Sequence, residues 1–319
     1  MAPMTTAELA TRVSERNRLA IARAISLVEN DSAEAGALLR ALAPHLGHAY
    51  RIGITGPPGA GKSTLTSELT KLLRSQNKRV GIIAVDPTSP FTGGALLGDR
   101  IRMQEISMDE GVYVRSMATR GSLGGLSAKA KDAADVMDAA GFDFVLFETV
   151  GVGQSELDIA KAADTTIVVL VPESGDAVQA MKSGLMEIAD FFVVNKSDRE
   201  GADQAVRALK TILSFRITHA EQEWIPPVVK TTASKNIGIE DVLREIKKHR
   251  DYLETTGQLI SRRKARERER VRELVEAMLR FDFWTPARAE MLETELDRIV
   301  AHERTSFDLA HELIGKLTT

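Results

Sequence analysis

The sequence of 319 residues contains no cysteine. This absence excludes disulfides, thiolate metal sites and a thiol nucleophile, and it is typical of proteins from a reducing compartment. The stretch from Met1 to Arg18 is polar and has no apolar signal-peptide core, and no apolar run approaches the length of a membrane span. We therefore expect a soluble, cytoplasmic protein without a membrane partner.

An excess of charge of one sign is also missing. The chain has 42 lysines and arginines against 45 aspartates and glutamates, which gives a formal net charge of -3. A surface that binds nucleic acid throughout would need a positive excess. The arginine-rich stretch 262–272 is interleaved with glutamates, which favours a solvated or coiled helix face. We therefore expect no nucleic-acid partner.

Apolar segments alternate with helical segments from residue 50 to about residue 250. Several of the candidate strands are solidly apolar, as strands buried on both faces of a parallel sheet should be. Such alternation predicts a doubly wound, mostly parallel α/β sheet with ligands at the carboxyl ends of the strands. The predicted strands are Arg51–Thr55, Val80–Val85, Val112–Arg115, Phe144–Phe147, Thr166–Val171, Phe191–Val194 and Pro227–Lys230.

Helical periodicity extends on both sides of this α/β region. We expect an N-terminal helical arm over residues 1–47, a nucleotide-binding domain over 48–250 and a C-terminal helical arm over 251–319. The C-terminal helices carry apolar faces that a small domain cannot bury by itself. A dimerisation arm is the natural interpretation.

The first strand leads into a complete G-x-x-x-x-G-K-S motif, followed by helical spacing. Glycines let backbone N–H groups wrap around phosphate oxygens, and the new helix presents its positive end to the same anion. The lysine adds a point charge and the serine hydroxyl can ligate Mg²⁺. The predicted phosphate-binding residues are Gly56, Pro57, Pro58, Gly59, Ala60, Gly61, Lys62, Ser63 and Thr64.

Acidic residues follow two of the strands. Asp86 ends the second strand, where it suits Mg²⁺ or serves only as a turn or cap residue. Glu148 ends the fourth strand in E-T-V-G, where GTPases usually carry D-x-x-G. In that motif the acid helps to hold Mg²⁺ and the N–H of the glycine, here Gly151, senses the γ-phosphate, so that the loop becomes a switch.

The residue after Gly151 is Val152, where Ras-like proteins have the glutamine that orients water, and Gln154 lies two residues later. We therefore predict slow intrinsic hydrolysis, with a catalytic group or a loop rearrangement supplied by a partner.

The sixth strand ends in Asn195-Lys196-Ser197-Asp198, the N-K-x-D pattern that reads guanine. The aspartate carboxylate accepts two hydrogen bonds from guanine, whereas adenine has no matching pair of donors. The lysine stem covers the base. Thr232, Ala233 and Ser234 follow the seventh strand and match the loop whose backbone contacts the guanine carbonyl. Together with the phosphate loop, these residues predict GTP rather than ATP.

Two further loops are less specific. Arg115 and Arg120 lie in a strand and loop segment that continues into three glycines, and phosphate, an acidic partner and solvent remain the alternatives for them. Gln179 and Lys182 lie one helical turn apart, so they share a face. A solvated helix start and a switch or interaction role are both compatible with that pair.

These motifs resemble the MeaB/ArgK-type GTPases, which include the bacterial methylmalonyl-CoA mutase-associated protein and its mitochondrial counterpart. The matching text is GPPGAGKST, VDPTSPFTGGALLGDRIRM, RSMATRGSLGGL, ETVGVGQSE, GDAVQAMKSGLMEIAD, NKSD and TAS, and the likeness covers almost the whole chain. Glutamate at position 148 is usual in this family.

The resemblance implies a GTPase that chaperones an adenosylcobalamin-dependent acyl-CoA mutase, gates cofactor loading and protects or rescues the mutase. It also implies a homodimer joined through the C-terminal helices. Gln154, Gln179 and Lys182 would relay the nucleotide state to the mutase. By motif, Ser63, Asp86, Asp99 and Glu148 would surround Mg²⁺, and Lys62, Asp99, Glu148 and Gly151 would serve hydrolysis.

Three alternatives remain open at this point. An ATP-using kinase or ATPase linked to amino-acid transport is disfavoured by Asn195 and Asp198. A nickel-delivery GTPase usually carries cysteine or histidine metal clusters, which this sequence lacks. A nucleotide-dependent scaffold with negligible hydrolysis is the third.

Overall fold

The structure is a computed structural model that describes residues 4–30, 32–86, 104–118, 128–149, 155–172, 184–216 and 224–315. The chain divides into two compact units, Met1–Arg263 and Lys264–Thr319. None of the helices in the described ranges combines the length and apolar character needed to cross a membrane.

The first unit contains a seven-stranded sheet in the order β3-β2-β4-β1-β5-β6-β7, and every described pairing is parallel. This arrangement confirms the predicted fold class, and all seven predicted strands are present. Because β1 lies between β4 and β5, the strand order reverses beside it, which is where doubly wound sheets bind ligands. The strands are β1 Tyr50–Thr55, β2 Val80–Asp86, β3 Val112–Ala118, β4 Phe144–Thr149, β5 Thr165–Leu170, β6 Phe191–Val194 and β7 Val228–Lys230.

Helices cover both faces of this sheet. In chain order they are α1 Thr6–Ser14, α2 Arg18–Glu29, α3 Ala35–Leu42, α4 Lys62–Ser75, α5 Gln104–Ser107, α6 Ala128–Ala139, α7 Ser155–Ala162, α8 Leu185–Ile188, α9 Ala202–Arg216 and α10 Ile239–Thr255, with 3-10 turns at Ala43–His45 and Ala233–Lys235. Helix α11, Gln258–Phe283, begins in the first unit and continues into the second.

The N-terminal helices pack on one face of the sheet. Helices α1 to α3 share a hydrophobic cluster with α6, α7 and the strand residues Val145 and Phe147. On the other face, α4 and α10 bury Tyr50 and Ile52 in a second cluster. Burying one large apolar side chain contributes about 1.5–3 kcal/mol, so both helical layers stabilise the sheet substantially. Residues 4–30 therefore belong to the same hydrophobic core as the sheet.

A group of charged residues, here called the basal cluster, lies at the amino ends of the strands. It consists of Asp164, Asp190, His249, Arg262 and Arg263. Arg262 contacts both carboxylate oxygens of Asp190, at 2.8 and 3.0 Å, and Nε2 of His249 lies 3.2 Å from the same carboxylate. Arg263 donates to the fully buried Asp164 at 3.0 Å. These two arginines depart from the predicted solvated helix face, because their guanidinium groups bind acids that precede β5 and β6.

Burial opposes ionisation of Asp190, but the close His249 ring and the hydrogen-bonded Arg262 guanidinium outweigh it and hold the pKa of Asp190 below its usual value. The Nε1 of Trp224 donates to the backbone carbonyl of Asp190 at 2.6 Å, and the indole ring lies 4.8 Å from the His249 ring. The basal cluster thus joins the start of α11 to the sheet within the first unit.

The second unit contains the end of α11 together with α12 Pro286–Val300 and α13 Ser306–Gly315. The hydroxyl of Thr285 caps α12, and proline at its first position fixes where the helix begins. Leu309 and Leu313 are buried, whereas much of the apolar surface of this unit is exposed. The exposed side chains on α11 include Val271, Leu274, Val275, Met278 and Leu279.

Candidate nucleotide site

The phosphate loop connects β1 to α4, and its backbone requires glycine. The φ angles of Gly56, Gly59 and Gly61 are 136°, 77° and 86°, in a region that L side chains rarely adopt. A Cβ atom on Gly56 would collide with the carbonyl oxygen of Val169 on β5, and one on Gly61 would collide with the Asn195 amide. The loop is therefore pressed between β5 and the N-K-x-D segment. Pro57 is half-buried, and Pro58 is exposed.

Lys62 begins α4 and is almost fully buried, with 5% of its surface exposed. Its ammonium group donates to the carbonyl oxygens of Gly56 at 2.7 Å and Pro57 at 3.0 Å. The loop thus holds the ammonium in place beside the positive end of α4. Both features favour an anion, as the motif predicts. Thr64 is exposed on the same helix.

Ser63 and Glu148 form the part of the predicted metal site that the structure describes. The Ser63 hydroxyl donates to Oε1 of Glu148 at 2.5 Å, and Glu148 is 4% exposed. Their proximity follows from the sheet register, because Glu148 on β4 pairs with Ile54 on β1, just before the phosphate loop. Hydroxyl and carboxylate oxygens are the hard donors that Mg²⁺ prefers, so the chemistry of this pair fits the ion.

Asp86 is the last residue of β2, and its backbone lies at the same carboxyl edge because Val85 pairs with Thr149. In the part of the chain that the structure describes, no group of three or more histidine or acidic side chains forms a metal cluster. A magnesium site built from Ser63, Asp86, Asp99 and Glu148 therefore stays a prediction.

Asn195 ties the guanine-reading loop to the phosphate loop. Its Nδ2 donates to the carbonyl oxygen of Ala60 at 2.9 Å. Its Oδ1 accepts hydrogen bonds from the Thr231 hydroxyl at 3.0 Å and the Ala233 N–H at 3.1 Å. Asn195 is only 3% exposed, so these hydrogen bonds are shielded from water. They join the N-K-x-D loop to the phosphate loop and to the segment 231–233.

Lys196 adds a second connection of the same kind. Its backbone is left-handed, with φ of 54°, and its ammonium donates to the Gly59 carbonyl at 2.8 Å. The lysine stem is thereby held over the phosphate loop, at the place where the motif predicts that it covers the base.

Asp198 is exposed, so its carboxylate is open to solvent. Lys235 lies 2.8 Å from its carboxylate and holds the pKa of Asp198 below its usual range, so the group is an acceptor at neutral pH. The hydroxyls of Ser197 and Thr232 lie 3.2 Å apart and join the two base-reading loops. Thr232 and Ala233 are buried, and Ser234 is exposed on the 3-10 turn.

The structure thus brings the phosphate loop, Glu148, Asn195, Lys196 and the turn at Ala233 to one edge of the sheet. The other predicted site residues lie outside the described residues, namely Asp99, Gly151, Gln154, Gln179 and Lys182, together with Arg120 and Val152. Arg115 is accounted for elsewhere, because it forms an ion pair with Glu29 on α2.

Sequence reasoning missed two features of this edge. The hydroxyl of Thr149 donates to that of Thr55 at 3.0 Å, and both side chains are fully buried. This pair joins the last residues of β1 and β4. Glu156, in the first turn of α7, is half-buried near the charge of Lys62. The signal for the threonine pair was adjacency to motif residues, since Thr55 precedes Gly56 and Thr149 follows Glu148, and the signal for Glu156 was its place at the end of ETVGVGQSE.

Known proteins are similar to this chain over most of its length. The family model described as "Methylmalonyl Co-A mutase-associated GTPase MeaB" matches residues 21–287. A Pyrococcus abyssi protein that carries a GTPase name is 53% identical over 273 residues, which are 85% of this chain and 84% of that one. The GTPase ArgK of Escherichia coli is 37% identical over 261 residues, which are 80% of this chain and 79% of its own.

A crystal structure of an LAO/AO transport system kinase superposes with a TM-score of 0.73 at 27% identity, covering 100% of this chain and 99% of that chain. The family match and the relatives' names support GTPase activity and guanine-nucleotide binding for this chain. The chain belongs to the MeaB family of methylmalonyl Co-A mutase-associated GTPases.

Proposed function

We propose that this chain is a GTP-hydrolysing chaperone of an adenosylcobalamin-dependent acyl-CoA mutase, with methylmalonyl-CoA mutase as the first partner to test. In this role it gates cofactor loading and protects or reactivates the mutase. The family description supports a mutase-associated role. The structural observation that carries the proposal is the link from Asn195 and Lys196 to the phosphate loop. Base recognition and phosphate binding share backbone groups, so the site is built to respond to one complete nucleotide.

Mg²⁺ would be held by Ser63 and Glu148, with Asp86 and Asp99 as the further ligands that the family motif implies. When bound, the ion would neutralise charge on the β- and γ-phosphates. Lys62 would bind the same oxygens, and its two hydrogen bonds to loop carbonyls position it for that contact. Gly151 would sense the γ-phosphate. Measured GTP affinity with Mg²⁺ and with EDTA tests this arrangement in wild type and in Glu148→Gln.

Hydrolysis is proposed to be slow in the free protein and faster with the partner. Val152 supplies no hydrogen-bonding group where Ras-like proteins place glutamine, so the isolated chain lacks that means of orienting water. Gln154, Gln179 and Lys182 are proposed to transmit nucleotide state to the mutase. Single-turnover hydrolysis with and without the mutase tests both statements, and a fast rate for the free chain would contradict the first.

The second unit is proposed to form a homodimer through its helices. Val271, Leu274, Val275, Met278 and Leu279 recur at helical spacing on α11, and each is between 45% and 63% exposed. An apolar stripe of this length favours burial against a second copy. Light scattering should give a dimer for the wild type and a monomer for Leu274→Asp/Met278→Asp. A monomeric wild type at micromolar concentration would contradict the proposal.

The decisive experiment is co-purification with the cobalamin mutases of the host, with GTPase rates measured for each complex. Lys62→Ala serves as the control that loses nucleotide binding. Stimulation by one mutase supports the chaperone role, and stimulation by none would leave only the GTPase. Competition between ATP and GTP for the same site distinguishes the proposal from an ATP-using kinase, which would prefer ATP.

A further inference from the structure

Helix α7 lies directly against the strand that leads into the phosphate loop. Gly53 on β1 makes this approach possible, because a Cβ atom there would meet Cγ1 of Ile159 at 2.9 Å and Cβ of Ala163 at 3.2 Å. Ile159 is fully buried in this contact. The face of α7 that contains Ile159 is therefore fixed against β1.

Glu156 lies on that same face, since it precedes Ile159 by three residues, close to one helical turn. Helix α7 starts after β4 and ends just before β5, so it runs back from the carboxyl edge of the sheet. Its first turn is consequently at the edge that contains the phosphate loop. Glu156 stands at this end of α7, beyond the point where Ile159 touches Gly53.

The electrostatic environment agrees with this placement. Glu156 is half-buried, and burial raises the pKa of its carboxyl while the nearby Lys62 ammonium acts in the opposite direction. The phosphate-loop lysine and this carboxyl thus share one region of the site. The first turn of α7 also favours the ionised carboxylate through the helix dipole, so Glu156 is a charged acceptor close to the phosphate-loop lysine.

We propose that Glu156 is a catalytic residue for GTP hydrolysis, and that its carboxylate accepts a proton from the attacking water. The proposal rests on the GTPase function argued above. The water oxygen forms a bond to the γ-phosphorus, and the bond from that phosphorus to the β–γ bridging oxygen breaks. The bond's electron pair leaves with GDP, one water proton passes to Glu156, and the carboxyl later returns it to solvent.

Two observations favour Glu156 for this task. Valine at position 152 has no group that can accept a proton or orient water. Glu148, which lies at the same edge, accepts the hydrogen bond of Ser63 and is the proposed metal ligand, and Asp198 forms an ion pair with Lys235 in the base-reading loop. Glu156 is an additional acid at the same carboxyl edge of the sheet as Lys62, and it comes from this chain rather than from a partner.

The test compares Glu156→Gln with Asp158→Asn in single-turnover hydrolysis of GTP with Mg²⁺. Asp158 lies on the same helix and forms an ion pair with Lys161 within that helix, so it provides a matched control. Because general bases contribute typically about 10²–10⁴-fold, Glu156→Gln should lower the rate by about 100-fold or more. The affinity for a non-hydrolysable GTP analogue should stay within about threefold, and Asp158→Asn should keep the wild-type rate.

Chemical rescue separates catalysis from a structural role. Formate should raise the rate of Glu156→Ala but not that of wild type, since a small carboxylate can occupy the space that the substitution leaves. A Glu156→Gln rate within about threefold of wild type, or a parallel loss of affinity without formate rescue, would overturn the proposal. If wild type hydrolyses GTP no faster than Lys62→Ala, the GTPase proposal fails as well. If wild type is active and Glu156→Gln is equally active, only the role of Glu156 is refuted.

Discussion

Replacing Asn195 with alanine should weaken nucleotide binding and the protein together. The substitution removes three hydrogen bonds, to the Ala60 carbonyl, the Thr231 hydroxyl and the Ala233 N–H. Each contributes about 0.5–1.5 kcal/mol net, and a buried partner left without a hydrogen bond costs about 1–3 kcal/mol. Because Asn195 is 3% exposed, water reaches these partners poorly. We expect a total loss of about 2–4 kcal/mol.

This loss is divided between folding and binding, because the three hydrogen bonds exist without nucleotide. The free energy of unfolding of the empty protein and the dissociation constant for a fluorescent GDP analogue must therefore both be measured. If the whole loss fell on binding, affinity would fall about 30- to 700-fold, since 1.4 kcal/mol corresponds to a factor of ten.

Ser197→Ala provides the control for Asn195→Ala. It alters the same loop but removes only the contact with the Thr232 hydroxyl, so a loss of about 1 kcal/mol or less is expected. A combined loss below about 1 kcal/mol for Asn195→Ala would refute the view that this amide joins the three loops.

Three further predictions concern single residues. Gly61→Ala should weaken GDP binding more than tenfold in a binding titration. An alanine in the left-handed region costs about 1–2 kcal/mol, and its Cβ would also displace the Asn195 side chain. Gly59→Ala is the control, because it adds the same backbone strain without a collision. Asp198→Asn should shift preference from GTP to xanthosine triphosphate in competition assays, since the amide offers a donor in place of an acceptor; an unchanged preference would contradict the assignment. Asp190→Asn should destabilise the first unit by about 1–3 kcal/mol at pH 7 in urea unfolding followed by Trp224 fluorescence in a Trp284→Phe background. The pKa of Asp190 in the folded protein lies below the ordinary aspartate value, so wild type keeps this stabilisation above the ordinary value and loses it as pH falls through the lower folded value. The difference between the two proteins should therefore vanish in strong acid.

The sheet and the nucleotide loops were predictable because their signals are local. Each buried strand is a short apolar run, and the phosphate loop and N-K-x-D segment are contiguous motifs with fixed spacing. The order of such motifs along a doubly wound sheet then places them at one edge. The contact between Asn195 and Ala60 follows from that placement, although its distance does not.

The basal cluster could not be predicted in the same way. Arg262 and Asp190 are 72 residues apart, and Arg263 and Asp164 are 99 residues apart. In sequence the two arginines belong to a stretch rich in charge, where solvation is the ordinary interpretation. Only the packing of the start of α11 beside β5 and β6 brings them to buried acids. Glu156 illustrates the same limit, because the closeness of α7 to β1 depends on a missing side chain at Gly53.

The attachment of the N-terminal helices has a practical meaning for anyone who trims this protein. Leu9, Val13 and Ile21 are buried in the cluster that also contains Phe147. The carboxylate of Asp138 accepts hydrogen bonds from the backbone N–H groups of residues 47 and 49 at 2.8 and 2.9 Å. These bonds connect the end of the N-terminal arm to α6. A fragment that starts at residue 48 would expose the hydrophobic face of the sheet that these helices cover. Such a fragment should aggregate and be recovered from inclusion bodies. A shortened protein that keeps the GTPase core should therefore retain the N-terminal helices and be truncated from the C-terminal side.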